Sequence, residues 1–159
     1  MAQHLLTISS LNGCRIRVQR IHNEEYLSLT DLAGYIKTSP RMKIIQQWLR
    51  LKKTNKFLTE WERQNNPKFF EVELKLKKLS VKKWIELTGA VGIKAGRGAS
   101  VGGTWAHLDI ATEFMSSLSV EFQLYTIKEL HRLRKQKANP PEPEWLILRR
   151  YTKEYNRVQ

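Results

Sequence analysis

Alternating apolar and polar positions mark the first part of the chain as β-structure. Ile16 and Val18 alternate with Arg15 and Arg17 in "CRIRVQRI", which predicts a strand with one buried face. The stretches "LLTIS" before it and "EYLSL" after it are also rich in strand-forming residues, and "LNG" and "HNEE" have the chemistry of turns. We therefore expect two or three short strands joined by tight turns.

Apolar residues at helical spacing follow, and they predict two short helices separated by about three residues. Ser28 or Thr30 can cap the first helix, which must end near Thr38 because Pro40 disfavours helical backbone at the residue before it. Pro40 suits the start of a second helix, over about 41–53. The inward stripe of this second helix comprises Ile44, Ile45, Trp48 and Leu49. Two helices joined in this way are a candidate helix-turn-helix.

Helices and one hairpin are predicted further along the chain. "NKFLTEWERQNN" and "SVKKWIELTGA" read as helices, the latter with Ser80 as its cap and Gly89 as its terminator. "AVGIKAGRGASVGGTWAHL" predicts a β-hairpin with a glycine-rich tip, whose return strand ends near Trp105. One helix follows over about 107–117, and Ser119 caps another. Strands and helices in this order predict an α+β protein with a small antiparallel sheet.

A proline-rich stretch separates the carboxyl-terminal part from the rest. "KANPPEPE" is typical of a linker, and "WLILRRYTKEYNRVQ" returns to helical periodicity. We expect one domain over 1–137, a linker over 138–144 and a helical tail over 145–159. The tail helix docks on its own domain, on a partner chain or on a further segment, and the sequence leaves these three open. A homo-oligomer formed through residues 142–158 is one such arrangement.

Net charge changes the picture, because 28 Lys and Arg residues outnumber 15 Asp and Glu residues and give a formal charge of +13. Such a surplus favours a polyanionic partner, nucleic acid first and an anionic membrane surface second. Residues 41–94 hold fourteen basic and five acidic residues, whereas residues 97–127 hold one basic and three acidic residues. Charge concentrated in this way indicates a binding face. The alternative is that the lysines only solvate the protein.

Basic and amide side chains on the second helix supply the chemistry for reading DNA. Lys43, Gln47 and Arg50 lie on its outward face, four and three residues apart. Arg pairs with guanine, Gln with adenine, and Lys contacts phosphate as a point charge. The alternative is a solvated amphipathic helix. The predicted DNA-contacting set, which includes the hairpin, is Arg41, Lys43, Gln47, Arg50, Lys52, Lys53, Lys94, Arg97 and Gly98.

Several other functions lack the residues that they need. The stretch from Gly98 to Thr104 has no lysine where a Walker loop requires one, and no βαβ unit surrounds it, so a phosphate cofactor is disfavoured. Cys14 is the only cysteine and the four histidines are scattered, so we expect no metal. His107 and Asp109 have no nucleophile motif beside them, and we expect no enzymatic activity and no cofactor. No apolar run of about eighteen residues and no signal peptide occur, so we expect a soluble cytoplasmic protein without membrane contact.

Several longer stretches resemble a known family. They are "YLSLTDLAGYI", "IIQQWLR", "NKFLTEWE" and "GRGASVGGTWAHLDIATEFMSSLSVEFQLYTI". The most specific is "GTWAH" at 103–107, with Ile110 and Ala111 after it and "SVEF" opening the next helix. Over about residues 12–136 the chain resembles the KilA-N domain of bacteriophages and large DNA viruses, which is related to the APSES DNA-binding domain of fungal transcription factors.

The resemblance implies a winged helix-turn-helix-like KilA-N/APSES fold, here with an added C-terminal helix. It implies double-stranded DNA binding through a recognition helix over about 41–53 and a hairpin wing over about 92–103. Gly102 stands where the related fungal wing carries a glutamine, so base reading by that side chain does not carry over. The residues with implied structural roles are Trp48, Gly103, Thr104, Trp105 and Ile110.

The resemblance also implies a biological setting. A phage or prophage regulator of transcription, or of lytic growth or replication, would act in the cytoplasm, at the nucleoid or in an infected host cell. The alternative function is a protein- or RNA-interaction module that uses the basic surface and assembles through the tail helix.

Overall fold

The computed structural model describes residues 15–35, 39–71, 79–96 and 102–138, the backbone of residues 3–8 and 14, and single positions at 143, 146 and 149. Within these ranges the chain forms five strands and six helices, which confirms the α+β prediction. In chain order they are β1 Gln3–Ile8, β2 Cys14–Ile21, β3 Glu24–Ser28, α1 Leu29–Gly34, α2 Arg41–Leu49, α3 Lys52–Asn65, α4 Val81–Thr88, β4 Ile93–Gly96, β5 Gly103–His107, α5 Leu108–Leu118 and α6 Val120–Ala138.

The strands form one antiparallel sheet in the order β1-β2-β3-β5-β4. The first three strands are a meander, as the alternation predicts, and the turn between β2 and β3 places His22 at φ 49° and Asn23 at φ 66°. Positive φ at both central residues matches the twist of a tight hairpin. β5 pairs with β3 on one side and β4 on the other. The predicted hairpin is therefore confirmed, and it belongs to the same sheet as the amino-terminal strands.

A row of directly opposed apolar residues crosses four strands and forms the sheet side of the core. Val18 is opposite Leu27, Leu27 is opposite Ala106, and Ala106 is opposite Ile93. All four are buried, and opposed residues point to the same face of a sheet. The helix α5 covers this core with buried apolar side chains, which are Ile110, Ala111, Phe114 and Met115.

Helix ends follow the capping chemistry of the sequence. Ser28 Oγ accepts from the backbone N–H of Asp31 at the start of α1, and Ser80 Oγ accepts from that of Lys83 at the start of α4. Gly89 ends α4 with φ 64°, a left-handed conformation that glycine adopts without strain. The predicted end of the first helix near Thr38 lies outside the described residues, and α1 itself ends at Gly34.

The chain divides into two compact units, Met1–Gln123 and Leu124–Gln159, and the division falls inside α6. Within α6 Phe122 is the buried residue, and the remaining large apolar side chains are about half exposed or more. They are Val120, Leu124, Tyr125, Ile127, Leu130 and Leu133. The predicted linker and tail, 138–144 and 145–159, lie almost wholly outside the described residues, so their boundaries stay predictions.

Candidate nucleic-acid interface

One face of α2 is anchored in the core and the opposite face is open to solvent. Ile44, Ile45, Trp48 and Leu49 are all buried, which confirms the predicted inward stripe. The indole of Trp48 packs edge-on against Phe114 of α5, with ring centroids 4.9 Å apart. Lys43, Gln47 and Arg50 are exposed on the other side. Lys43 and Gln47 thus lie on the exposed face of α2, and Arg50 lies directly after its last residue.

The prediction of one helix over 41–53 is wrong from Arg50 onward, because α2 ends at Leu49 and a new helix begins at Lys52. Leu51 has an extended backbone (φ −69°, ψ 133°) and is the N-cap residue, directly before α3. The Asn55 side chain donates to the carbonyls of Leu49 and Leu51, 3.1 and 3.2 Å away. The Leu51 carbonyl also accepts from the backbone N–H of Asn55 at 3.0 Å, so the side chain replaces a lost helical bond at the Leu49 carbonyl. Lys52 and Lys53 therefore belong to the first turn of α3.

Arg41, at the start of α2, lies against the end of α1. A Cβ added to Gly34 would come within 2.6 Å of the Arg41 guanidinium carbon, so this side chain runs directly over the glycine backbone. Arg41 is exposed to solvent, and its guanidinium lies at the junction of α1 and α2.

The start of α1 is tied to the sheet by an ion pair between Arg17 and Asp31. The guanidinium donates to both carboxylate oxygens, at 2.9 and 3.1 Å, and the backbone N–H of Arg17 donates to the same group at 3.0 Å. Burial raises the pKa of Asp31, but the hydrogen bonds and charge of Arg17, together with the charge of Arg41, outweigh it, so this pKa lies below its ordinary value. The Arg17 guanidinium lies 5.3 Å from the ring centroid of the buried Trp105.

Gly103 allows the return strand of the hairpin to approach α1 closely. Its φ is +103°, and a Cβ there would lie 2.6 Å from Thr30 Oγ1. The backbone N–H of Thr104 donates to the same oxygen at 3.0 Å. A glycine followed by threonine at this point thus joins the hairpin to the first turn of α1.

The other end of the hairpin is fixed by Glu62 of α3, which is fully buried. Its carboxylate accepts from the backbone N–H groups of Val91, at 3.0 and 3.2 Å, and Gly92, at 2.7 Å. The side chain of Asn66 donates to it at 2.9 Å. Glu62 was not predicted as a functional residue, because a glutamate in a polar helix resembles a surface residue. The one signal of its burial is its spacing of four from Leu58, which is buried on the same face.

Lys94 lies in the middle of β4, where it is partly buried. Its ammonium nitrogen is 5.2 Å from the ring centroid of Tyr26, and the Tyr26 hydroxyl donates to the carbonyl of Val91 at 3.0 Å. Burial raises the pKa of this tyrosine, and the nearby carboxylates of Glu24 and Glu62 raise it further. Arg97 and Gly98, the other hairpin residues predicted to contact DNA, lie outside the described residues.

His107 acts as the cap of α5. Its Nδ1 accepts from the backbone N–H of Asp109 at 3.1 Å, and its Nε2 lies 2.8 Å from Glu24. Asp109 in turn accepts from the indole N–H of Trp61 at 2.9 Å. In the part of the chain that the structure describes, no group of three or more His, Cys, Asp or Glu residues is arranged to hold a metal ion. No described helix is both long and apolar enough to cross a bilayer.

The residues predicted to be structural are buried or closely packed. Trp48, Thr104, Trp105 and Ile110 are buried, and Gly103 has the positive φ and close contact described above. Hydrogen bonds from Thr104 to Thr30 and from Val91 and Gly92 to Glu62 therefore join the hairpin to α1 and α3. The exposed cations of α2 and α3 face solvent.

The class of this domain follows from comparison with known families. A family model for the KilA-N domain matches residues 10–136. The chain therefore belongs to the KilA-N family, whose members are generally DNA-binding domains. No curated protein and no solved structure matches the chain.

Proposed function

We propose that this protein binds double-stranded DNA through the exposed face of α2, the first turn of α3 and the hairpin of β4 and β5. α2 would be the recognition helix and the hairpin would be the wing of a winged helix-turn-helix. The observation that carries the proposal is the exposed set of Lys43 and Gln47 on α2 and Arg50 directly after it, on a helix whose other face is buried in the core. These side chains can donate hydrogen bonds to acceptors on base edges and phosphates.

The charges at the helix starts support this proposal. None of α2, α3 and α4 has an acidic residue in its first turn, and each carries basic residues there. Lysine and arginine at the positive end of a helix dipole are unfavourable by a few tenths of a kcal/mol, to about 1 kcal/mol. A phosphate backbone would relieve this repulsion.

The test is DNA binding by a pair of helix variants. Lys43→Ala/Arg50→Ala should lower duplex affinity. The slope of log affinity against log salt concentration should become shallower by about one to two, because up to two fewer phosphates are neutralised. The matched control is Arg15→Ala/Arg20→Ala, which removes two exposed cations from β2 and the same formal charge. If both pairs weaken binding equally, the charge acts without a defined α2 surface and this proposal is wrong.

We also propose that this protein is a phage or prophage regulator of transcription, or of lytic growth or replication. It would act in the cytoplasm, at the nucleoid or in an infected host cell. Membership of the KilA-N family supports it. Binding to a defined operator in a phage or prophage genome, found by selecting bound fragments from that genome, is the test. Uniform recovery of all fragments would contradict a regulatory role.

A second function, assembly with another protein chain, is favoured by the apolar side chains that α6 exposes. Leu124, Ile127, Leu130 and Leu133 follow one another at intervals of three residues and are each 45% exposed or more. We propose that the C-terminal segment, including residues 142–158, forms a homo-oligomer. Light scattering on the intact chain and on Ile127→Ser/Leu130→Ser tests it, and a monomer at all concentrations would contradict it.

A further inference from the structure

Glu62 is a buried carboxylate with no ion-pair partner among the described residues. Burying a carboxylate is unfavourable unless hydrogen bonds replace its water. Here the replacements are two backbone N–H groups, those of Val91 and Gly92, and the amide of Asn66. A carboxylate held in this way stabilises the segment that supplies the donors.

The segment in question connects α4 to β4. Asn66 lies one turn after Glu62, at the end of α3, and its side-chain nitrogen also donates to the carbonyl of Gly89 at 2.9 Å. Two side chains in the last turn of this helix thus bond the peptide groups of residues 89, 91 and 92. Gly92 lies directly against the same helix, because a Cβ there would be 2.7 Å from the Trp61 ring.

The sheet fixes the opposite side of this segment. The Tyr26 hydroxyl donates to the carbonyl of Val91 at 3.0 Å, and the backbone N–H of His107 donates to that of Gly92 at 2.8 Å. Val91 and Gly92 are therefore held from α3 and from the sheet at once. The next residue, Ile93, begins β4, so the direction of the hairpin is set at this point.

We propose that Glu62 is the positioning residue that couples α3 to the hairpin and so fixes the spacing between two of the DNA-contacting elements, the first turn of α3 and the hairpin. This inference rests on the DNA binding proposed above. The first turn of α3 carries Lys52 and Lys53, and β4 carries Lys94. From residue 52 to residue 62 a helix rises about 15 Å and acts as a rigid spacer.

The chemistry of the site requires a carboxylate. The two carboxylate oxygens accept from three N–H donors, whereas a glutamine would turn its own NH2 group toward one of them. Glu62→Asp would not be equivalent, because one methylene fewer withdraws the carboxylate from the 2.7 Å contact with Gly92. Glu62→Gln is therefore the mildest change that breaks the coupling.

The test is a double-mutant cycle in the full-length protein, with duplex DNA affinity as the readout. Lys94→Ala should weaken binding about threefold to tenfold in the native background, the loss expected for one or two phosphate contacts at moderate salt. In the Glu62→Gln background the same change should weaken it less than about twofold, since a hairpin without fixed position has already lost the contact. Leu58→Ala, a buried change on the same helix, is the matched control and should preserve the full effect of Lys94→Ala.

An equal effect of Lys94→Ala in the native and Glu62→Gln backgrounds would overturn the proposal. If Lys94→Ala has no effect in the native background, the hairpin contact proposed above fails, and amide hydrogen exchange decides the positioning role separately. Glu62→Gln should then accelerate exchange at Val91, Gly92 and β4 more than Leu58→Ala does, and equal acceleration would overturn it. Should Glu62→Gln fail to fold, Glu62→Asp, which keeps the carboxylate but withdraws it from Gly92, replaces it under the same criteria.

Discussion

The backbone N–H of Thr104 donates a hydrogen bond of 3.0 Å to Thr30 Oγ1, between residues 74 positions apart in the chain. Thr30 is in the first turn of α1, and Thr104 is in the return strand of the hairpin. The contact joins α1 to the hairpin at the point where Gly103 lets the two backbones approach each other. The geometry of the proposed DNA-binding surface therefore depends on residues that are not themselves proposed to contact DNA.

Gly103→Ala should destabilise the fold, because a side chain at φ +103° is strained and its Cβ would lie 2.6 Å from Thr30 Oγ1. We expect a loss of about 1–3 kcal/mol in the free energy of unfolding, measured by urea denaturation. Gly34→Ala is the control, since its Cβ would meet the flexible Arg41 side chain, and it should change stability by less than about 1 kcal/mol. Equal losses in the two variants would contradict the account of Gly103.

Asp31→Asn should weaken the dependence of stability on pH in the acid range. The pKa of Asp31 is lower in the folded protein than its ordinary value, so the unfolded chain binds the proton more tightly and acid favours unfolding. This contribution is complete above the unfolded pKa of about 4 and is lost as the pH falls through the folded pKa. Urea denaturation from pH 6 downward should show a steeper loss of stability in the native protein than in Asp31→Asn. Parallel curves would contradict a role for the Arg17 pair.

Asn55→Ala should destabilise the junction of α2 and α3, because the side chain donates to the carbonyl of Leu49, the last residue of α2. The expected loss is about 0.5–1.5 kcal/mol, the contribution of a typical hydrogen bond. Thermal unfolding measures it, with the exposed neighbour Lys56→Ala as the control. A stability unchanged in Asn55→Ala would mean that another interaction ends α2.

Much of the fold could be predicted because its signals are local. Alternation at 15–18, the caps at Ser28 and Ser80 and the terminator Gly89 each depend on a few neighbouring residues, and the structure confirms them. The inward stripe of α2 is equally clear, because helical spacing of large apolar residues is a strong signal.

The features that could not be predicted depend on contacts that the local pattern does not specify. Asn55 donates back from α3 to the carbonyl of Leu49, the last residue of α2, and nothing in "WLRLKKTN" indicates this contact. The burial of Glu62 depends on two peptide N–H groups about thirty residues away. The predicted DNA contacts of the site residues stay predictions, because the exposure and charge of a surface do not identify the molecule that binds to it.

The most direct test of DNA binding by this domain is the affinity of the unmodified protein for duplex DNA at a series of salt concentrations, followed by fluorescence anisotropy. If α2, the first turn of α3 and the hairpin together neutralise about six phosphates, affinity should fall roughly a thousandfold between 50 and 200 mM salt. Binding that barely changes over this range, or no binding to duplex DNA at low salt, would contradict the account.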